Sequence, residues 1–156
     1  MSGVTDPYEE TVAAIANMSP SKQFGAATIR VYVEALKPVP LRLLRNVVWQ
    51  MVRTRVYPPT IAEVLQAVAE HKLQLPEPFA AWEMAVEAAA QGGMTRLPEP
   101  VKRAAAAVGG SWDIRTSENT VALRSHFLRA YEEFRRAAVR ERVLELSSPK
   151  RKAISA

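Results

Sequence analysis

The stretch RTRVYPPTIAEVL, residues 53–65, decides the fold because it sets two prolines between two segments of helical periodicity. Pro58 and Pro59 lack a backbone N–H, and each restricts the preceding residue to extended backbone. We therefore expect an arginine-containing amphipathic helix to end before this turn. Thr60 then serves as an N-cap, and Glu63 stands three residues further on, as in a capping box. The stretch predicts two helices joined by a proline turn.

Helical periodicity also dominates the rest of the chain, and no segment has the alternation of a strand. The sequence therefore predicts an all-α fold. LQLPEP, residues 73–78, is typical of an interdomain linker. We predict a small helical N-terminal domain over residues 1–73, a helical C-terminal domain over 79–146, and a disordered basic tail over 147–156. The expected helices cover residues 7–17, 21–36, 40–54, 60–72, 79–91, 101–108, and 117 or 118 to 146.

The last of these helices carries an apolar stripe that is expected to face a core. Its members recur at steps of three and four residues: Leu123, Phe127, Ala130, Phe134 and Ala137, with Tyr131 and Ala138 along one edge. Arginines cover the other faces of this helix, and we interpret them as a solvated surface. We expect Trp82 and Trp112 to be core anchors of the same domain.

Composition excludes several classes of protein. The 156 residues include no cysteine, which excludes a disulfide scaffold and a thiolate metal site. No apolar run approaches the roughly 20 residues of a membrane span, and the acidic N-terminus does not resemble a signal peptide. We expect a soluble, cytoplasmic protein. Its formal net charge of +5 permits contact with nucleic acid without requiring it.

No catalytic constellation is present in the sequence. The two histidines, His71 and His126, lack cysteine partners and the spacing of a zinc motif. The glycines form neither a phosphate-binding P-loop nor a dinucleotide-binding GxGxxG turn. We therefore expect a protein that is not an enzyme and that uses no metal or cofactor.

The helix predicted over residues 40–54 carries the best candidate for a binding site. At about 100° per residue, Arg42, Arg45, Trp49 and Arg53 lie on one side of this helix. Tryptophan and arginine are enriched in protein-interaction hot spots, and arginines around an aromatic ring can also stack on unpaired bases. The alternative is that Trp49 packs beneath a neighbouring helix and is covered by arginine stems. The opposite side is expected to face the core through Leu43, Leu44, Val47, Val48 and Met51.

Two other segments are weaker candidates for partner contact. The turn containing Val56 and Tyr57 either touches a partner through Tyr57 or is structural with Tyr57 packed, and we expect the second. In the predicted tail, Lys150, Arg151 and Lys152 can contact phosphates at low salt, although such a run more often only increases solubility.

Residues 31–68, VYVEALKPVPLRLLRNVVWQMVRTRVYPPTIAEVLQAV, resemble the helical domain of phage-encoded loaders and inhibitors of the bacterial replicative helicase. That family has an aromatic-x-x-x-Leu helix, a second helix ending near a threonine, and a PPT-[IV]-A-E turn. The matching positions are Tyr32, Leu36, Thr54, Pro58, Pro59, Thr60, Ile61, Ala62 and Glu63. Residues 81–134 look like the C-terminal part of related phage replication proteins. The matches there are Ala81, Trp82, Gly109, Gly110, Ser117, Glu118, Asn119, Phe127, Ala130 and Tyr131.

The resemblance implies a non-catalytic phage DNA-replication adaptor that works in the cytoplasm of the bacterial host. Its implied partner is the hexameric DnaB-type replicative helicase, which it would load onto DNA or restrain. An origin-binding initiator and single-stranded DNA are further candidate partners. We expect one half to grip the helicase while the basic helix, with Arg42, Arg45, Trp49 and Arg53, meets DNA or the initiator.

A stand-alone DNA-binding regulator with a helix-turn-helix-like module over residues 40–72 is the competing interpretation. It predicts binding to duplex DNA with a steep salt dependence. The helix after the turn, however, has only Lys72 as a cation, at its far end. A recognition helix normally offers several base-reading polar residues near its N-terminus.

Overall fold

The computed structural model of the chain describes residues 5–19 and 24–147, and it is all helical over these residues. The predicted all-α class is confirmed. The helices are α1 Pro7–Ala16, α2 Ala26–Leu36, α3 Leu41–Thr54, α4 Ile61–Leu73, α5 Pro78–Gln91, the 3-10 helix Met94–Arg96, α6 Glu99–Ala107, α7 Gly110–Thr116 and α8 Thr120–Ser147. None of the described helices is long and apolar enough to cross a bilayer. Most of the predicted tail, residues 148–156, lies outside the described residues.

The chain forms two compact units. The first unit contains the residues up to Leu73 together with those from Arg142 onward, and the second unit contains Gln74–Glu141. The sequence predicts that residues 79–146 form one C-terminal domain. The last turns of α8 are instead grouped with the first unit.

The first unit has an aliphatic core. Helix α1 packs against α2 and α3, and α4 packs against the same two helices. Each helix turns a stripe of branched apolar side chains inward, which is the amphipathic pattern of a helical bundle. The Tyr8 hydroxyl donates a 2.7 Å hydrogen bond to the Val39 carbonyl and so ties α1 to the segment between α2 and α3. The core residues include Val12, Ile15, Leu36, Val39, Leu44, Val48, Val64 and Val68.

The predicted start of α1 is confirmed, whereas α2 begins later than predicted. The Asp6 carboxylate accepts a 3.0 Å hydrogen bond from the Tyr8 N–H, so the predicted N-cap with Pro7 in the first turn is confirmed. Helix α2 was expected from residue 21, which lies outside the described residues. It begins at Ala26, because Gly25 is extended and glycine is a poor helix former.

The second unit builds its core from small residues around two aromatic rings. Helices α5, α6 and α7 pack on one another. Phe127 and Tyr131 of α8 are completely buried in the same cluster, with their rings stacked 6.1 Å apart. The Trp82 ring lies 5.2 Å from that of Phe127, as expected for a core anchor. The cluster consists of Ala81, Ala85, Ala89, Val101, Ala104, Ala105, Ile114, Phe127 and Tyr131.

The predicted stripe on α8 is correct at its centre and wrong at its end. Phe127 is buried as expected, but Ala137 is exposed. Tyr131, expected at the edge, is among the most deeply buried residues, and its hydroxyl donates a hydrogen bond to the Pro76 carbonyl. Burial raises the pKa of the Tyr131 hydroxyl. The core of this unit therefore closes around Tyr131 as well as around the predicted stripe.

Helix α7 was not predicted. Gly109 and Gly110 both have positive φ, and the chain enters a seven-residue helix directly at Gly110. Ile114 faces the core from α7, whereas Trp112 is on the other side and is 65% exposed. The expectation that Trp112 anchors the core is therefore wrong, because only one side of this short helix meets the core. Helix α8 then begins at Thr120, two or three residues later than predicted.

Candidate interaction surface on helix α3

Helix α3 separates apolar from charged side chains around its circumference. Leu44, Val47, Val48 and Met51 are buried, while Leu43 is only partly buried. The opposite side is exposed and carries all four residues that were predicted to share a face. We call this face, formed by Arg42, Arg45, Trp49 and Arg53, the α3 surface.

Trp49 lies at the centre of the α3 surface and is 59% exposed. The interpretation in which a neighbouring helix covers this side chain is therefore wrong. An exposed apolar side chain is common on a folded protein and does not by itself mark a binding site. What distinguishes Trp49 is its position between cations.

The positive charge of the α3 surface is not balanced within the helix. Helix α3 has three arginines and no acidic residue, whereas α8 interleaves its arginines with Glu132, Glu133, Glu141 and Glu145. Arg42, Arg45 and Arg53 form no ion pair with any described residue. Several arginines elsewhere do contact a carboxylate, namely Arg55, Arg103, Arg135 and Arg142. The guanidinium groups of the α3 surface are thus available to an anionic partner.

An open groove of about 330 Å³ runs beside Trp49 between α1 and α3. Its lining is partly apolar, and it includes both a cation, Arg45, and an anion, Glu10. The Asn46 amide adds a group that can both donate and accept hydrogen bonds. The lining residues are Glu10, Thr11 and Ala14 from α1, and Arg45, Asn46, Val48 and Trp49 from α3.

The turn after α3 exposes two large apolar side chains. Val56 is 82% exposed and Tyr57 is 76% exposed, so the expectation that Tyr57 is packed is wrong. The residues that follow are fixed, because Pro59 is buried and its carbonyl accepts a 3.1 Å hydrogen bond from the Tyr32 hydroxyl. Burial, with a smaller contribution from the charge of Glu63, raises the pKa of Tyr32.

The predicted capping box at the start of α4 is confirmed. The Glu63 N–H donates to the Thr60 hydroxyl at 3.2 Å, and the Thr60 N–H donates to the Glu63 carboxylate at 3.3 Å. Arg55 also donates to this carboxylate. The hydrogen bonds that this carboxylate accepts from Arg55 and Thr60, with that from Arg55 the largest contribution, lower the pKa of Glu63. Val56 and Tyr57 therefore protrude from a turn that is held at both ends.

The sequence does not predict two features, one in each unit. The α1 side of the groove depends on tertiary packing, and no local pattern at Glu10 or Ala14 indicates it. In the second unit, the Arg115 guanidinium lies over the Trp112 ring, 5.2 Å from its centroid. The spacing of Trp112 and Arg115, three residues apart on a helix, could have indicated that contact. The predicted phosphate contacts Lys150, Arg151 and Lys152 lie outside the described residues.

Chemical groups suited to metal binding are not clustered in the part of the chain that the structure describes, where no three His, Cys, Asp or Glu side chains come together. No family model, curated protein or solved structure matches this chain. The resemblance to helicase loaders and inhibitors therefore depends on the quoted motifs alone.

Proposed function

We propose that the protein is a non-catalytic DNA-replication adaptor of phage type, which binds the hexameric DnaB-type replicative helicase and either loads it onto DNA or restrains it. The observation that carries the adaptor role is the exposure of Trp49 among three arginines without a carboxylate partner. The choice of the helicase as partner rests on the resemblance of residues 31–68 to helicase loaders and inhibitors.

The geometry of the first unit supports an interaction role. Tryptophan, tyrosine and arginine are the residues that most often carry binding energy in protein interfaces. The exposed Tyr57 side chain lies on a turn anchored through Pro59, Thr60 and Glu63. A turn that is ordered before binding loses little conformational entropy when a partner docks on it. A total binding free energy of roughly 8–12 kcal/mol would hold a helicase ring and still permit its release.

Helix α4 gives little support to a helix-turn-helix-like regulator. Its first turn contains Ala62 and the acidic Glu63, whose carboxylate is engaged by Arg55 and Thr60. Further along, the Gln66 amide donates to Glu70 on the same helix. A helix that enters the major groove needs free donors and acceptors near its N-terminus. We therefore propose the adaptor, with duplex binding as the outcome that would favour the regulator.

Size-exclusion chromatography with light scattering tests the adaptor role. The purified chain and the replicative helicase of its bacterial host are mixed at about 10 µM each and are expected to elute as a complex of defined mass. This concentration lies above the Kd that corresponds to the weakest binding free energy proposed above. Complete separation of the two proteins would contradict the proposal. Tight, salt-dependent binding to a specific duplex in the same preparation would favour the regulator.

A charge-reversal pair tests the α3 surface. Arg45→Glu combined with Arg53→Glu is expected to abolish binding to DNA or to a protein partner, since it replaces attraction with repulsion. Arg124→Glu combined with Arg129→Glu, on exposed positions of α8, changes the net charge equally and is the matched control. If the α3 pair left both DNA and partner binding unchanged, the assignment to this surface would be wrong.

A further inference from the structure

We infer that the groove beside Trp49 binds an unpaired base of a single-stranded nucleic acid. The inference deepens the proposed function, on which it rests, by naming the ligand of the α3 surface. It combines three observations: an exposed aromatic ring, cations on both sides of it along the helix, and polar groups in the lining of the groove.

The Trp49 side chain is largely exposed and can offer its ring to a planar ligand. Trp49 makes no ring-to-ring contact with any described aromatic residue, and it borders the groove directly. The groove volume of about 330 Å³ falls within the range of small-molecule sites, roughly 300–1,000 Å³. Single-stranded nucleic acids bind proteins by stacking successive bases on exposed aromatic rings.

The arginines are spaced to follow a phosphate backbone past this ring. Arg45 and Arg53 each lie four residues from Trp49, about 6 Å along the helix axis on either side. Arg42 extends the row to about 16 Å in total. A stacked strand carries one phosphate per roughly 3.4 Å, so the row spans about five nucleotides. This length is close to the lower end of single-strand site sizes, about 4–16 nucleotides.

The remaining groove residues suit the edge of a base. The Asn46 amide can donate and accept, and the Glu10 carboxylate can accept from an exocyclic amino group or from the imino N–H of thymine or uracil. Glu10 also repels phosphates from the α1 side, which leaves the backbone on the arginine side. The Thr11 hydroxyl is already used, because it donates to the Pro7 carbonyl at 2.8 Å. The apolar contribution comes from Ala14 and Val48.

Fluorescence anisotropy on the full chain tests the inference. The probe is a labelled deoxythymidine oligonucleotide of about 12 nucleotides, within the range of single-strand site sizes, at roughly 50 mM salt. We expect it to bind more tightly than a duplex of the same length, because duplex bases are already stacked and paired. A ribouridine oligonucleotide distinguishes DNA from RNA. Similar affinities for the two oligonucleotides would support recognition by base and phosphate. The inference would be overturned if the chain bound neither of them.

Three tryptophan variants locate the site. Trp49→Ala is expected to weaken single-strand binding about 5- to 150-fold, the range that corresponds to stacking of one base. Trp112→Ala, which removes a similarly exposed tryptophan from the second unit, should leave the affinity unchanged. Trp49→Phe keeps an aromatic face and should recover most of the binding. Circular dichroism and the Tm of each variant establish that the fold is intact.

The outcomes separate this inference from the adaptor role. If the chain forms the helicase complex but binds no single strand, the groove inference is overturned and the adaptor stands. If it binds single strands through Trp49 but never the helicase, the groove inference stands and the adaptor fails. If Trp49→Ala abolishes helicase binding while the wild type binds no oligonucleotide, the groove is a protein contact and the inference is wrong.

Discussion

Trp49 in the first unit and Trp112 in the second are both largely exposed, but the groups around the two rings differ. A guanidinium from Arg115 covers one face of Trp112. No described cation occupies the corresponding position over Trp49, which borders an open groove instead. Exposure alone therefore does not mark a binding residue. The Trp112 ring contacts a cation of its own unit, while the Trp49 ring has no such contact with a described residue.

The cores of the two units also differ, in the kind of side chain that fills them. The first unit distributes its buried area over branched aliphatic side chains from four helices, including Val12, Leu36, Leu44 and Val64. The second unit surrounds two large rings, Phe127 and Tyr131, with alanines. A single truncation should consequently remove a larger share of the core in the second unit than in the first.

The largest effect is expected from Phe127→Ala. The ring is fully buried against Trp82 and Tyr131, so its loss should lower the free energy of unfolding by about 3–5 kcal/mol. Urea denaturation followed by circular dichroism measures this. Phe134→Ala, on the same helix but only partly buried, is the matched control and should cost less. A loss below about 1 kcal/mol for Phe127→Ala would contradict the central role of this ring.

Helix caps provide the next comparison between the units. Thr60→Ala removes two hydrogen bonds of the Thr60 hydroxyl in the first unit, which accepts from the Glu63 N–H at 3.2 Å and donates to the Glu63 carboxylate at 3.1 Å, and should cost about 1–2 kcal/mol. Asn119→Ala in the second unit removes one bond, from the Ala122 N–H at 3.1 Å, and should cost about 1 kcal/mol or less. Chemical denaturation of both variants checks the order. An equal or reversed order would mean that the second hydrogen bond of the Thr60 hydroxyl adds no stability.

The two exposed tryptophans should also differ in their contributions to stability. Trp112→Ala loses a cation–π contact at an exposed site and should cost about 0.5–1 kcal/mol. Trp49→Ala should change the unfolding free energy by less than about 0.5 kcal/mol. A double-mutant cycle with Arg115→Ala isolates the contact with Trp112. Absence of coupling between these two positions would remove the distinction drawn between the rings.

The smallest effect concerns the pH dependence of the first unit. The pKa of Glu63 is lowered by hydrogen bonds from Arg55 and Thr60. Folding therefore favours the carboxylate, and its stabilisation is present above the ordinary pKa of about 4.3 and is lost as pH falls through the lower folded value. Glu63→Gln should thus cost more stability at about pH 7 than at about pH 3, by a small margin for an exposed group. Glu70→Gln, on the same helix, is the charge-matched control. Equal losses of stability for Glu63→Gln at the two pH values would contradict the expectation.

Local rules account for the parts of the fold that could be predicted. The proline turn, the Thr60–Glu63 capping box and the shared face of Arg42, Trp49 and Arg53 follow from restricted backbone, cap chemistry and helical spacing. None of these depends on which other helix lies nearby. They were therefore visible in the sequence.

The exposure or burial of individual side chains could not be predicted, because it depends on which neighbours cover each side chain. Tyr57 and Trp112 were expected to pack in a core, yet both side chains are largely exposed. Tyr131 was expected at an edge, yet the segment containing Pro76 and the alanines of α5 close over it. Helix α7 has only seven residues, too few for a periodic pattern to stand out.

The ion pair between Arg55 and Glu63 also sets the number of cations that the first unit can offer to a polyanion. Arg55 lies two residues from Arg53, but its charge is already matched by the carboxylate that caps α4. A bound strand would therefore release counterions from phosphates neutralised by three guanidinium groups rather than four. With about 0.7 ions released per phosphate of a single strand, the logarithm of the association constant should fall with the logarithm of salt concentration at a slope near −2. In Glu63→Gln, which frees Arg55, the slope should approach about −3.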